Sequence, residues 1–158
     1  WNAHMEVTLL QFFIRQTTVF AAENQGYRVL FYFLNKLLAA SAPDHVTISC
    51  AAEPGGLQAA QASALGMIVS EFVANSIKHA FVDGQSGHVA ISGKSLADGT
   101  LEITCEDNGD ANPESTAAKT SASGLGKRIM KASASQIGAT LENGPGPKGY
   151  RMVLTLPG

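Results

Sequence analysis

The stretch Glu71-Phe72-Val73-Ala74-Asn75-Ser76-Ile77-Lys78-His79-Ala80-Phe81 decides how this chain is read. Leu65, Ile68, Phe72, Ser76 and Ala80 recur at three- and four-residue steps, the spacing of a core-facing helical stripe. Glu71, Asn75 and Lys78 fall at i, i+4 and i+7 on another face. That spacing lines up a carboxylate, an amide oxygen and an ammonium along one groove. The two oxygen groups suit a hard cation such as Mg²⁺, and the lysine suits a phosphate. Taken alone, the same three positions also read as a solvated helix face; the sequence downstream separates the two.

Outward from this helix, placed at roughly 58–81, the pattern alternates between strand and helix periods. Residues 7–20 are apolar and helical in character, and Tyr27, Leu30, Phe31, Leu34, Leu37 and Leu38 form a helical stripe over 26–41. Residues 45–51 alternate as a strand. Val89-Ile91 and Leu101-Ile103-Cys105 give two strands joined at Ala97-Asp98-Gly99, a hairpin signal. A helix is expected at about 125–137, with Leu125, Ile129, Ser133 and Ile137 as its apolar stripe and Gly138 as its stop. Strands at 139–143 and 149–156 close the chain, Tyr150, Met152, Leu154 and Leu156 sharing one face. The fold class is therefore α/β: a mixed sheet with helices on one face, a two-layer α/β sandwich.

The chain has 158 residues, a net charge of −2 and 45% hydrophobic residues, which suits one globular domain with a real core. That charge gives no electrostatic footprint for nucleic acid. No apolar run reaches the ~20 residues of a membrane span, and no signal peptide is visible. Trp1 to Met5 reads as a cloning remnant ahead of a native segment cut from a longer protein. Residues 6–42 are expected to be N-terminal helices that link or dimerise, and residues 43–158 the functional domain. Cys50 and Cys105 sit in alternating apolar patterns and read as small buried hydrophobes, which favours a reducing, cytoplasmic setting.

Two further segments carry chemistry. In the strand ending at Asp107, side-chain parity points Asp107 inward with Leu101, Ile103 and Cys105. An inward carboxylate needs a donor, and the exocyclic amino group of adenine is one. Gly109 would let a flat base approach the backbone. Read blandly, Asp107-Asn108-Gly109 is a turn signal. Residues 108–123 hold almost no large apolar side chain and read as a long lid. It ends at Ser123-Gly124-Leu125-Gly126, where two glycines at a helix start leave N–H groups for an anion.

In this order and spacing, the three segments resemble the ATP-binding catalytic domain of bacterial sensor histidine kinases, of the GHKL superfamily. Glu71 to Phe81 is similar to that family's N box, Asp107-Asn108-Gly109 to its G1 box and Gly124-Leu125-Gly126 to its G2 box. The Lys78-His79-Ala80-Phe81 ending resembles the HWE/HisKA_2 subgroup. The resemblance implies the Bergerat ATP-binding fold, with ATP and Mg²⁺ as cofactors. By it Asn75 would ligate Mg²⁺, and Glu71 would order water around the metal or act as a base. Lys78 would face the phosphates with His79 nearby. Asp107 would read adenine beside Gly109, and Gly124, Leu125 and Gly126 would wrap the triphosphate. Lys127 and Arg128 read either as helpers there or as a solvated basic face.

The chain departs from the family at Ala111, where the G1 box has a second glycine, and at Gly149-Tyr150, where Gly-Thr is usual. None of His4, His45, His79 and His88 lies in an acceptor motif, so the phosphoacceptor histidine is expected on an upstream segment. The implied partners are that acceptor domain, a cognate response regulator and a second copy of the chain. An anti-sigma-factor serine kinase and a degenerate module that docks a response regulator are the competing readings.

Overall fold

The inner face of the sheet is set by strict alternation. The computed structural model describes residues 34–36, 38–40, 42–53, 56–109 and 124–158. In β3 (Leu101–Asp107) every second residue is buried, from Leu101 through Ile103 and Cys105 to Asp107. The residues between them are half-buried on the opposite face. β2 (Gly87–Ser95) buries Val89 and Ile91, and β5 (Tyr150–Leu156) buries Met152, Leu154 and Leu156. With β1 (Val46–Ala52) and β4 (Thr140–Pro145) these strands form one five-stranded sheet in the order β1-β2-β3-β5-β4. β1 runs parallel to β2 and the other neighbours pair antiparallel, so the sheet is mixed as expected.

One face of this sheet is covered by α1 (Ala59–His79). Its stripe Leu65, Ile68, Phe72 and Ser76 is buried as the spacing predicts. Gln61 closes its first turn by accepting the Gln58 N–H at 2.8 Å, and Lys78 sits in the last turn, where a cation is favoured by the helix dipole. Beyond it, Phe81 is buried and its ring lies where a Cβ on Gly87 would have to go. Asp83 and Gly84 turn the chain with φ of 57° and 74°.

α2 (Gly124–Gln136) packs beside α1 and differs from its expected stripe. Met130, Ser133 and Ala134 are buried, while Ile129 and Ile137 are only half-buried. A strict four-residue step drifts by about 40° per repeat on a 3.6-residue turn. The true seam runs from buried Gly126 through Met130 to Ser133 and Ala134, because Gly126 must lie against α1. The side chain of Leu125 lies outside the described residues. The helix stops as expected at Gly138, with φ 67°. Ala139 N–H reaches Ala134 O at 2.9 Å and Gly138 N–H reaches Ser135 O at 3.2 Å, the bond pair of a Schellman cap.

The β2–β3 hairpin turns at Gly99, with φ 86°, and the Asp98 carboxylate accepts the Thr100 N–H at 2.9 Å. Leu34 and Leu38, in helical backbone, are buried in the same core as α1 and the sheet. The expected helix at 7–20, the stretch 108–123 beyond Gly109, and with it Asp110, Ala111 and Ser123, lie outside the described residues. Cys105 is fully buried and Cys50 only partly so, since β1 is an edge strand. Burial pushes the Cys50 thiol up to about 12 and the Cys105 thiol higher still.

Candidate functional site

Asp107 ends β3 on the buried face, 6% exposed. Its Oδ1 accepts the Gly109 N–H at 3.1 Å and the Tyr150 N–H at 3.1 Å. Its Oδ2 accepts the Ser76 hydroxyl at 2.8 Å. The donors that an inward carboxyl group needs are thus supplied within the protein by Ser76, Gly109 and Tyr150. A carboxylate offers about four acceptor positions. Among the described residues, donors fill both positions on Oδ1 and one on Oδ2, which leaves one position on Oδ2.

Close backbone approach makes this cradle. A Cβ on Gly149 would strike the Asp107 backbone oxygen and Oδ1, and a Cβ on Gly109 would strike Ala80. Both positions must be glycine for β5 and the turn after β3 to come this near. Asn108 fixes the turn from outside. Its Oδ1 accepts the His88 N–H at 2.6 Å, and its own N–H donates to His88 O at 3.1 Å. His88 in turn shares a 2.8 Å hydrogen bond with Ser49.

Ser76 is next to Asn75 on α1, so the Asp107 cradle and the polar groove share one helix. In that groove the Asn75 Nδ2 donates to Glu71 Oε1 at 3.2 Å. With the nitrogen so engaged, the amide oxygen is the end left to meet a cation. Gly126 closes the far side: a Cβ there would overlap the Glu71 carboxylate. α2 thus brings its glycine-flanked N-terminus directly onto the groove of α1. Lys78 is exposed at the end of the same face, and His79 beside it is half-buried. Gly124 is exposed at the tip of α2, while Lys127 and Arg128 point to solvent.

The structure therefore holds Glu71, Asn75 and Gly126 in one set of contacts and Asp107 and Gly109 in another, joined through Ser76 beside Asn75, with Gly124 and Lys78 exposed nearby. Mg²⁺ fits this donor set as an ion carried in by phosphates. Among the described residues no three His, Cys, Asp or Glu side chains cluster to form a dedicated cage. One amide oxygen and one carboxylate suffice for a cation that keeps most of its ligands as water and phosphate oxygens.

The spacing assigns Ser76, Gly149 and Tyr150 no contact with Asp107, and gives Asn108 only as the middle of the Asp107-Asn108-Gly109 motif. By spacing alone Ser76 belongs to the apolar stripe. A lone hydroxyl among Leu65, Ile68 and Phe72 was the available signal, since a buried hydroxyl must find a partner. Tyr150 was noted only as a departure. Its ring lies nearly parallel to Phe72, with centroids 6.5 Å apart, and its hydroxyl donates to Asn143 at 2.9 Å. Burial, and then the nearby charge of Asp107, raise the Tyr150 phenol above its ordinary value.

Residues 60–158 match the family described as Histidine kinase-, DNA gyrase B-, and HSP90-like ATPase. Blue-light-activated histidine kinase 2 of Erythrobacter litoralis (strain HTCC2594) is 31% identical over 96 residues, which are 61% of this chain and 28% of that protein. The histidine kinase domain of the Erythrobacter litoralis EL346 blue-light activated histidine kinase superposes with a TM-score of 0.68 at 26% identity, over 81% of this chain and 60% of that one. The ATP binding domain of PrrB from Mycobacterium tuberculosis does so with a TM-score of 0.62 at 28% identity, over 82% of this chain and 91% of that one. This chain thus spans under a third of the first relative's length, 28%. The chain belongs to the histidine kinase-, DNA gyrase B- and HSP90-like ATPases, as an ATP-binding domain homologous to the catalytic domains of histidine kinases.

Proposed function

We propose that this domain binds Mg²⁺-ATP between α1 and α2 and transfers the γ-phosphoryl group to a histidine on another segment of its full-length protein. The observation that carries the reading is the joining of three motifs: Asp107 is tied to Ser76, and Glu71, one turn back from Asn75, is covered by Gly126. Phosphoryl transfer asks mainly for positioning and charge neutralisation. Asp107 would accept from the adenine amino group on its remaining Oδ2 position. The Asn75 amide oxygen and the Glu71 carboxylate would hold Mg²⁺ directly and through water. Lys78 and the N–H groups at Gly124 to Gly126 would meet the phosphates, and His79 would lie at their edge. Mg²⁺, once bound, neutralises charge on the transferring group.

None of the described histidines suits the acceptor's role. His45, His79 and His88 are all half-buried, and His88 is held by Ser49. An acceptor in an upstream domain, a dimer, an HWE/HisKA_2-type kinase and a response regulator as next partner belong to the same proposal. So does a cytoplasmic location, for which the supporting fact is narrow: no described helix is long and apolar enough to cross a membrane.

Labelled ATP given to the full-length protein tests this. The expected result is Mg²⁺-dependent, acid-labile label on a histidine outside residues 43–158, lost in Asn75→Ala. Acid-stable label would instead indicate a serine or threonine kinase, and absence of ATP binding in calorimetry would reject the catalytic reading.

A further inference from the structure

We infer that Ser76 is the residue that aims Asp107 at the purine, as a positioning residue for base recognition supplied by α1. This deepens the proposed function and rests on its placing of the adenine.

The two oxygens of Asp107 are held differently. Oδ1 is locked by two backbone N–H groups, from Gly109 and Tyr150. Among the described residues, Oδ2 has one donor, the Ser76 hydroxyl, in a bond buried from solvent. Oδ2 also carries the acceptor position left for a ligand. The plane of the carboxyl group, and so the direction of that position, is fixed by the Ser76 bond together with the two on Oδ1. Backbone donors alone hold one oxygen and leave the other without a buried partner.

Residue 150 does not supply a side-chain donor. A short hydroxyl side chain there would stand beside Asp107. Tyrosine carries its hydroxyl away to Asn143, bound at 2.9 Å, and gives Asp107 only its N–H. The hydroxyl on Asp107 comes from α1, one residue after Asn75. Base recognition and the metal-facing groove are thereby mounted on adjacent residues of one rigid helix. A shift of α1 moves both together.

The donor geometry also bears on which base is accepted. Ser76 spends its proton on Asp107, so its oxygen faces its surroundings with lone pairs only. A base edge meeting Asp107 Oδ2 meets an acceptor, and this selects an amino group over a carbonyl at that ring position.

The test uses three ligands on the intact chain by calorimetry: ATP, the purine riboside triphosphate lacking the 6-amino group, and inorganic triphosphate. Wild type should prefer ATP over the deaminated analogue by about tenfold, the worth of one hydrogen bond to a charged group. Ser76→Ala and the near-isosteric Ser76→Cys should lose most of that preference, with inorganic triphosphate bound as before. Ser76→Thr should keep it. Should Ser76→Ala fail to fold, Ser76→Cys decides. If wild type discriminates and Ser76→Cys discriminates as strongly, the role given to Ser76 is wrong while the adenine site stands. If wild type itself shows no preference, the placing of the base at Asp107 fails, and this inference fails with it.

Discussion

Gly126 lies against the Glu71 carboxylate so closely that a methyl group on Gly126 would overlap Oε1. One contact therefore couples the start of α2 to the polar groove of α1. It explains a glycine inside a helix, where its lack of a side chain costs about 1 kcal/mol relative to alanine. It also separates the two glycines of the motif. A Cβ on Gly124 would meet nothing within 4 Å.

Gly126→Ala should force Glu71 or α2 to move, at an overpacking cost of about 1–3 kcal/mol. Thermal melts should show the loss, and calorimetry should show weakened Mg²⁺-ATP binding. Gly124→Ala should melt close to wild type. Equal melting of all three proteins would show that the contact is slack.

Asp107→Ala removes the acceptor for Ser76, Gly109 and Tyr150 at once. Each orphaned buried donor costs about 1–3 kcal/mol. Denaturant titration should therefore report a large loss of stability alongside the loss of ATP binding. Gly149→Ala should resemble it, because its methyl would sit on the Asp107 backbone and carboxyl oxygens.

Glu71→Gln keeps the shape of the groove and removes its charge. Loss of a group that orders a metal's surroundings weakens such sites about 10–100-fold. Mg²⁺-dependent ATP binding should fall by that factor, and Asn75→Ala should abolish it. ATP titrations with and without Mg²⁺ measure both; undiminished Mg²⁺ dependence in Asn75→Ala would remove Asn75 from the metal.

Alkaline pH should destabilise the fold through its buried acids. Burial raises Cys50 from 9.0 to about 12, and raises Cys105 and Tyr150 as well. A group whose pKa is higher folded than unfolded holds more protons in the native state. Its stabilising contribution is complete below the unfolded value and is lost as pH climbs toward the folded one. Stability should thus decline from about pH 9 upward, and Cys50→Ala should flatten the decline. On the acid side, hydrogen bonds from Thr100 lower Asp98, so its small contribution disappears as pH falls below 3.8. Denaturant midpoints across pH give both limbs, and a flat alkaline limb would contradict the thiol burial.

Much of the fold was legible because the periods were clean. The alternation Leu101, Ile103, Cys105, Asp107 by itself places the acid inside, and the helical spacing gives α1 to within two residues of its ends. The stripe of α2 was misassigned because its seam depends on a neighbour. Glycine carries no hydrophobic signal, so Gly126 was visible as an anion-binding motif and invisible as a packing position. Ser76 was hidden the opposite way, read as a small core residue because its spacing matched the core.

Residue type and spacing within single elements set the alternation of strand and helix, the burial of Asp107 and the three motif segments. The tertiary structure alone decided which donors meet Asp107 and which residue abuts Glu71. Those contacts join Ser76 to Asp107, Tyr150 to Asp107 and Gly126 to Glu71, pairs that stand far apart in the chain. Local spacing fixes the direction in which a side chain leaves its own backbone. Only the packing of α1 and α2 on the sheet fixes what it finds there.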